Sequence, residues 1–490
     1  MPGAFFPFYR KHQTMSDNPA STLVLKTDVA VIGGGTAGLA AERAARKNGA
    51  STLLIDPDFD GTTCARVGCM PSKLLIAASR EAARIERAGL FGIEVEGVRI
   101  DGPAVLRRVR TERDRFVRLT RESIARLPKE VAIRARARFE GPGRLLLDEG
   151  RRVEARTIVI ATGSAPILPD PFAALGAAAL TSDTVFDLED LPRRLAVVGS
   201  GAIGLELAQA FAHLGVEVAL FDKGERMAKV RCDKVHGELR EAMEKNLALH
   251  LGVDVTPHAS DHGVRLNWSG ASEGEALFDK VLVAVGRKPQ LGGLDLGKAG
   301  LDLDDDGVPR YERTTMRCGD SSVFLAGDAA ADLPLLHEAS HEGAIAGRNA
   351  AAYPAPIPAG RNTRFAITFT EPVLATIGKA EEEGAVTGSA DFSDQGRARV
   401  DGRNRGILTL YAAAPDGRLI GADLIAPAGE HLAHMLAWAV QGGLTATQLL
   451  NMPFYHPTVE EGLKKALRTI CAATPIALPR DQDAGTPAGA

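Results

Sequence analysis

The sequence predicts an α/β protein in which two dinucleotide-binding domains, each built on an open parallel sheet, are followed by a C-terminal α+β domain. Three observations carry that expectation. An apolar run enters a glycine-rich turn and then a helical stretch twice, at Gly33 and again 166 residues later at Gly199. In each copy an acid, Asp56 or Asp222, ends a second apolar run 23 residues after the first glycine. Beyond the Pro/Ala/Gly-rich stretch 353–360, short strands and amphipathic segments replace that pattern.

The run 28–32 is short, branched and apolar, as a strand buried on both faces requires. It enters Gly33-Gly34-Gly35-Thr36-Ala37-Gly38, and a helix is expected over 39–48. Gly33 permits the tight turn, Gly35 lets backbone approach a pyrophosphate, and Gly38 lets the helix pack on the strand. Asp56, after the strand 51–55, stands where an acid accepts from a ribose 2′-hydroxyl. The second copy runs 195–198, Gly199-Ser200-Gly201-Ala202-Ile203-Gly204, then 217–221 and Asp222. One such turn is a weak signal. Two with the same strand, helix and acid spacing point to a pair of Rossmann-like domains. Further apolar runs, 157–163, 280–286 and 323–328, stop at Gly163, Gly286 and Asp328, as strands reaching the ligand edge of an open sheet do. The expected division is a first nucleotide domain over 24–165, resumed at 293–355, with a second at 166–292 inserted into it. A C-terminal domain covers 356–475, with an extension at 1–23 and a loose tail at 476–490. Strands are expected in the C-terminal domain at 365–369, 406–411 and 419–425.

Apolar residues at 45% and charged residues at 24% match a soluble globular chain rather than a disordered or membrane one. A net charge of −4 and like-charge runs no longer than Glu381–Glu383 give no footprint for nucleic acid. No apolar stretch approaches the ~18 residues that span a bilayer. The apolar residues at 4–9 precede Arg10 and Lys11, the reverse of a signal peptide, and Met15 reads as an alternative start. Five cysteines are too few for a disulfide-stapled secreted scaffold, so a reducing, cytoplasmic setting is expected.

Two of those cysteines stand in Gly61-Thr-Thr63-Cys64-Ala-Arg66-Val-Gly-Cys69-Met-Pro71-Ser-Lys73. Such a pair is a redox disulfide, half of a metal site, or chance. No second Cys/His pair completes four zinc ligands, and no metal is expected. Pro71 suits the start of a helix expected over 74–85, and a helix N-terminus favours the thiolate that disulfide exchange needs. The redox reading is therefore the stronger. Taken alone, Lys73 reads as a solvated helix residue and His456 as a packed or surface histidine. Glu461, three residues after Thr458, makes a capping box for a helix over 459–470.

The cysteine segment resembles the redox-active segment of the pyridine nucleotide–disulfide oxidoreductases. The resemblance extends from about Asp28 to Ile470. It takes in both glycine fingerprints, Ala326-Gly-Asp328, Phe369-Thr-Glu-Pro372 and His456-Pro-Thr-Val-Glu-Glu461. It implies an FAD-binding first domain, an NAD-binding second domain and a C-terminal dimerisation domain. FAD would be held by Gly33, Gly35, Gly38, Asp56, Thr63, Lys73, Thr162, Gly163 and Asp328. NAD would be held by Gly199, Gly201, Gly204 and Asp222, with Gly286 and Arg287 beside it. Cys69 would face the flavin, Cys64 would exchange with substrate, and Lys73 would pair with Glu206. His456 and Glu461 would serve as base and orienting acid from the other subunit of a homodimer.

Asp222 repels a 2′-phosphate and Gly204 is the usual NAD form, although Lys223 and Arg226 follow closely. NAD in turn favours dihydrolipoyl dehydrogenase chemistry, with a lipoyl-bearing protein or a small dithiol as partner, over a glutathione reductase. Mercuric reductases carry a vicinal cysteine pair near the C-terminus, where this chain has only Cys471. Two departures bear on substrate: Arg66 stands where the family often has Asn, and Phe454-Tyr455 where His-Ala often precedes the base. Alternative readings are another disulfide or quinone reductase, and a redox-sensing flavoprotein without substantial turnover.

Overall fold

The computed structural model describes residues 24–380 and 384–475, so the N-terminal extension, the tail and the Glu381–Glu383 run lie outside the described residues. Strand Val24–Ile32 pairs in parallel with Thr52–Asp56 on one side and Arg152–Ile160 on the other. Ala132–Arg134 and Val323–Leu325 add parallel strands to this seven-stranded sheet, and Arg144–Leu147 and Ala137–Gly141 fold back on it antiparallel. Val29, Ala30 and Val31 are fully buried, as expected of a strand covered on both faces.

A second, five-stranded parallel sheet runs Ala248–Leu251, Glu217–Asp222, Arg194–Val198, Lys280–Val283, Ala179–Leu180, with a three-stranded antiparallel meander beside it. The short pair Ser164–Pro166 and Arg287–Pro289 stitches the two units together. The C-terminal sheet is antiparallel, with Phe365–Thr368 at one edge and Val386–Asp391 at the other. Helices Gly429–Gln441 and Leu463–Ala473 cover it. Among the described residues, no helix is long and apolar enough to cross a membrane.

Three of the differences from expectation bear on the site. The helix expected from 74 is Cys69–Glu86, because a proline in the first turn needs no donor and helix extends back through it. The run 323–328 is strand only over Val323–Leu325, and then turns as Gly327–Ala330. Helix 459–470 is divided into a 3-10 turn Val459–Gly462 and an α-helix Leu463–Ala473.

The two glycine loops are near-copies. Gly33 has φ +109° and Gly199 has φ +107°, a region that glycine alone enters readily. A Cβ on Gly33 would lie 2.7 Å from the Ala161 carbonyl carbon, and one on Gly199 the same distance from that of Ala284. A Cβ on Gly38 would press on the carbonyl of Gly33, and one on Gly204 on that of Gly199. Gly35 and Gly201 face open space, where a ligand backbone could approach. We expect Gly38→Ala to push helix Thr36–Lys47 off its strand and cost about 1–3 kcal/mol, as overpacking does. Denaturant melts and bound-flavin content measure it, and an unchanged midpoint would contradict the packing role.

Candidate active site

Thr63–Arg66 forms one helical turn, capped by Thr62 Oγ1, which accepts from Ala65 N at 3.3 Å. Helix Cys69–Glu86 starts three residues later, so Cys64 and Cys69 meet across the bend between two helical segments. Both are free thiols here, Cys64 half-buried and Cys69 exposed. They are strongly polarised. The hydrogen bond from the Cys64 thiol lowers Cys69 to about 6; burial opposes this, and the Lys73 ammonium assists it. The same hydrogen bond pushes Cys64 well above the ordinary thiol range, and burial adds to it.

Lys73, one turn into the helix, places Nζ 2.7 Å from Glu206 Oε2 and 4.5 Å from the centre of the Phe369 ring. Glu206 is nearly buried, and its Oε1 accepts from Phe369 N at 2.9 Å. Leu75 and Ile76 of the cysteine helix share a core with Leu205 and Phe211 of helix Ala202–His213, and this sets the register of the ion pair.

The fingerprint acids first serve their own loops. Asp56 accepts from Gly34 N at 2.8 Å, and from the backbone of Asp58 and Phe59. Asp222 accepts from Ser200 N at 2.5 Å, Ser200 Oγ at 2.7 Å and Gly224 N at 2.7 Å. A carboxylate has roughly four acceptor positions, so each retains capacity for a ribose hydroxyl. The cations after Asp222 are engaged elsewhere: Lys223 with Asp254 at 2.9 Å, and Arg226 with Val230 O, Arg231 O and Asp233.

Arg287, expected beside the nucleotide of the second unit, is bound at the seam between the units. Its guanidinium donates to Ser164 Oγ and O, Ser182 Oγ and Asp183 Oδ1. The reason is the strand pair at 164–166 and 287–289, which brings Arg287 against the end of the first sheet. Ser164 Oγ donates in turn to Asp328 Oδ2 at 2.7 Å, and Gly327 N donates to the buried Glu342 Oε2 at 2.9 Å. Gly163, with φ +71°, and Gly286, with φ +133°, both take glycine-favoured backbone at the strand ends. Thr162 Oγ1 is buried without a partner at the end of strand Arg152–Ile160. Thr162 N lies against Gly33, so this orphaned hydroxyl belongs to the first loop, where a polar ligand would satisfy it. Sequence periodicity gives no warning of Ser164, Ser182, Asp183 or Glu342, which act through bonds between distant segments.

His456 Nδ1 lies 2.9 Å from Glu461 Oε2, which also accepts from Thr458 N at 3.4 Å. One carboxylate oxygen thus orients the ring and caps the turn. Lys464 Nζ holds Oε1 at 3.0 Å. Burial opposes ionisation of Glu461, but the Lys464 and His456 hydrogen bonds outweigh it and keep the carboxyl below its usual range. Among the described residues, no hydrogen bond joins His456 or Glu461 to Cys64 or Cys69 within one chain. Tyr455, beside the histidine, is 83% exposed, whereas Phe454 packs into the domain core.

The chain matches the pyridine nucleotide-disulphide oxidoreductase family over residues 27–343, and that family's dimerisation domain over 365–467. It is 31% identical over 462 residues to the dihydrolipoyl dehydrogenase of Bacillus subtilis, covering 90% of this chain and 97% of that protein. Identity to the dihydrolipoyl dehydrogenase of Pseudomonas aeruginosa is 30%, over 90% of this chain and 97% of that one. In fold it resembles the HOCl-induced flavoprotein disulfide reductase RclA from Escherichia coli in its Cu(II) complex. The TM-score is 0.78 at 20% identity, over 90% of this chain and 99% of that one.

From the thiol polarity we expect iodoacetamide to alkylate Cys69 of the dithiol protein with a midpoint near pH 6. Cys64 should stay unreactive to far higher pH. Trypsin cuts after Arg66 and places the two cysteines on separate peptides, so mass spectrometry reads each alone. An ordinary thiol profile at Cys69 would contradict the arrangement.

Proposed function

Because the chain belongs to the pyridine nucleotide-disulphide oxidoreductase family, we propose that it is an FAD-dependent dihydrolipoyl dehydrogenase that reduces NAD⁺ through a Cys64–Cys69 disulfide. The observation that carries the reading is the cysteine pair at the start of helix Cys69–Glu86, with the Lys73–Glu206 ion pair one turn along it. The relatives named dihydrolipoyl dehydrogenase support it.

Gly33, Gly35, Gly38, Asp56, Thr63, Lys73, Thr162, Gly163 and Asp328 would hold the flavin. Gly199, Gly201, Gly204 and Asp222 would hold the nicotinamide nucleotide, with Gly286 and Arg287 beside it. The flavin, when bound, supplies two-electron transfer between the dithiol and the nicotinamide. The chain's own residues handle thiols and protons. A carboxylate can only accept, so Glu461 fixes the proton of His456 on Nδ1 and leaves Nε2 as the base. From the partner subunit of a homodimer, Nε2 takes the proton of a substrate thiol. That thiolate attacks Cys64, forming a mixed disulfide as the Cys64–Cys69 bond breaks. Cys69 leaves as thiolate, and its low pKa makes it the better leaving sulfur. The second substrate thiol then displaces Cys64, and its proton passes to the departing Cys64 sulfur, while the first proton stays on His456 Nε2. Product is the cyclic disulfide, and two electrons remain on the cysteine pair.

The NAD preference draws on Asp222 and on the engagement of Lys223 and Arg226 away from it. The orphaned Thr162 hydroxyl favours a cofactor laid along the first loop.

Purified flavin-loaded protein should reduce NAD⁺ with dihydrolipoamide, followed at the NADH absorbance. Silence there with brisk glutathione disulfide reduction would replace the substrate assignment. Cys64→Ser should abolish dithiol turnover while NADH still bleaches the flavin; retained dihydrolipoamide turnover would refute the exchange role. Asp222→Ala should raise the NAD⁺ constant about ten- to a hundredfold, the loss of ~1.5–3 kcal/mol for bonds to a charged group. Loosening of the Ser200 loop weakens both nucleotides alike, whereas loss of the negative charge favours only NADP⁺. The NAD⁺/NADP⁺ ratio therefore isolates the charge, and an unchanged ratio would place discrimination elsewhere.

A further inference from the structure

The Phe369 ring is the contact at the cysteine helix that the proposed chemistry leaves unused. Lys73 Nζ is held by a carboxylate at 2.7 Å and by this ring at 4.5 Å. These two partners have different consequences for Cys69. Lys73 stabilises its thiolate, and Glu206, by its own negative charge, works against it. An ion pair anchors the ammonium but cancels part of its field. A neutral ring attracts the cation through its quadrupole and leaves the net charge intact.

The ring is itself firmly placed. Its backbone N–H donates to Glu206 Oε1 at 2.9 Å. Two residues on, Glu371 N donates to Gln209 Oε1 at 2.7 Å, and Gln209 Nε2 returns a bond to Glu371 O at 3.0 Å. Thr370 Oγ1 closes the turn on Pro372 O at 2.7 Å. The turn is clamped to helix Ala202–His213 at two successive helical positions, Glu206 and Gln209. The ring also packs against the core that holds Leu75 and Ile76. It cannot drift from Lys73 without moving the C-terminal sheet edge at Phe365–Thr368.

We propose that Phe369 is a positioning residue for the cysteine pair: its ring keeps the Lys73 ammonium beside Cys69 by a cation–π contact that costs none of the ammonium's charge. The C-terminal domain thereby sets the charge at a thiol carried by the first domain. The inference rests on the redox reading of Cys69.

The experiment is the alkylation profile of Cys69 in flavin-loaded, dithiol-reduced protein, read on its own tryptic peptide. Phe369 is replaced by 3,4,5-trifluorophenylalanine, which keeps the ring's shape and removes most of its attraction for a cation. The midpoint is expected to rise by about half a pH unit, the size of an ordinary cation–π contact transmitted to a neighbouring charge. Phe369→Leu should shift it the same way, and Phe369→Tyr should restore the native value. The fluorinated ring is nearly isosteric, so the test survives if Phe369→Leu fails to fold. A midpoint unmoved by fluorination overturns the proposal, because a ring that only packs would give that result. A wild-type profile of ordinary thiol type would instead remove the redox reading of Cys69 beneath it.

Discussion

The Glu206 carboxylate is the joint on which the site depends. It is nearly buried, so it has little water to satisfy it, and a buried carboxylate without partners would cost several kcal/mol. One oxygen takes the Lys73 ammonium from the cysteine helix, and the other takes Phe369 N from the turn that enters the C-terminal sheet. Three segments distant in sequence are thus fixed to one another by a single side chain. A break at any arm leaves charge or a polar group unpaired in the interior, and this links the position of the cysteines to the packing of the whole chain.

The nucleotide loops follow a similar economy. In both, the acid at the end of the second strand binds backbone N–H groups of its own glycine turn. The acid that is read in sequence as a ribose acceptor is therefore also a structural clamp. Ser200, in place of Gly34, adds a hydroxyl donor that the first loop lacks. Arg287 and Ser164 extend the same logic between the units, tying the second sheet to Asp328 through two hydrogen bonds in series.

The cysteine pair shows how position sets reactivity in identical side chains. Cys64 and Cys69 share one hydrogen bond, and its direction makes one sulfur an acceptor and the other a donor. The helix start and Lys73 both favour negative charge on the second sulfur. Attack at Cys64 with departure of Cys69 is the downhill sense of exchange for such a pair.

The fold class and both glycine loops were legible because they depend on local rules. A buried parallel strand must be apolar, a tight turn must have glycine, and Gly33, Gly38, Gly199 and Gly204 sit where a Cβ would strike backbone. The Thr458–Glu461 spacing was legible for the same reason, since capping acts over one turn. The placement of Arg287 was not, because a guanidinium reaches whatever acceptors a sheet pairing brings near it, and that pairing sets 164–166 against 287–289. Helix Cys69–Glu86 started earlier than its apolar pattern, since the first turn is governed by hydrogen-bond geometry rather than by periodicity. The sequence alone determined the fold class, the glycine turns and the cap at Thr458, because backbone sterics and helix capping are written in neighbouring positions. Only the tertiary structure decided their ionisation and their partners. Those depend on burial and on charges brought within a few ångströms, and residues 73, 206 and 369 become neighbours only when three packed segments meet.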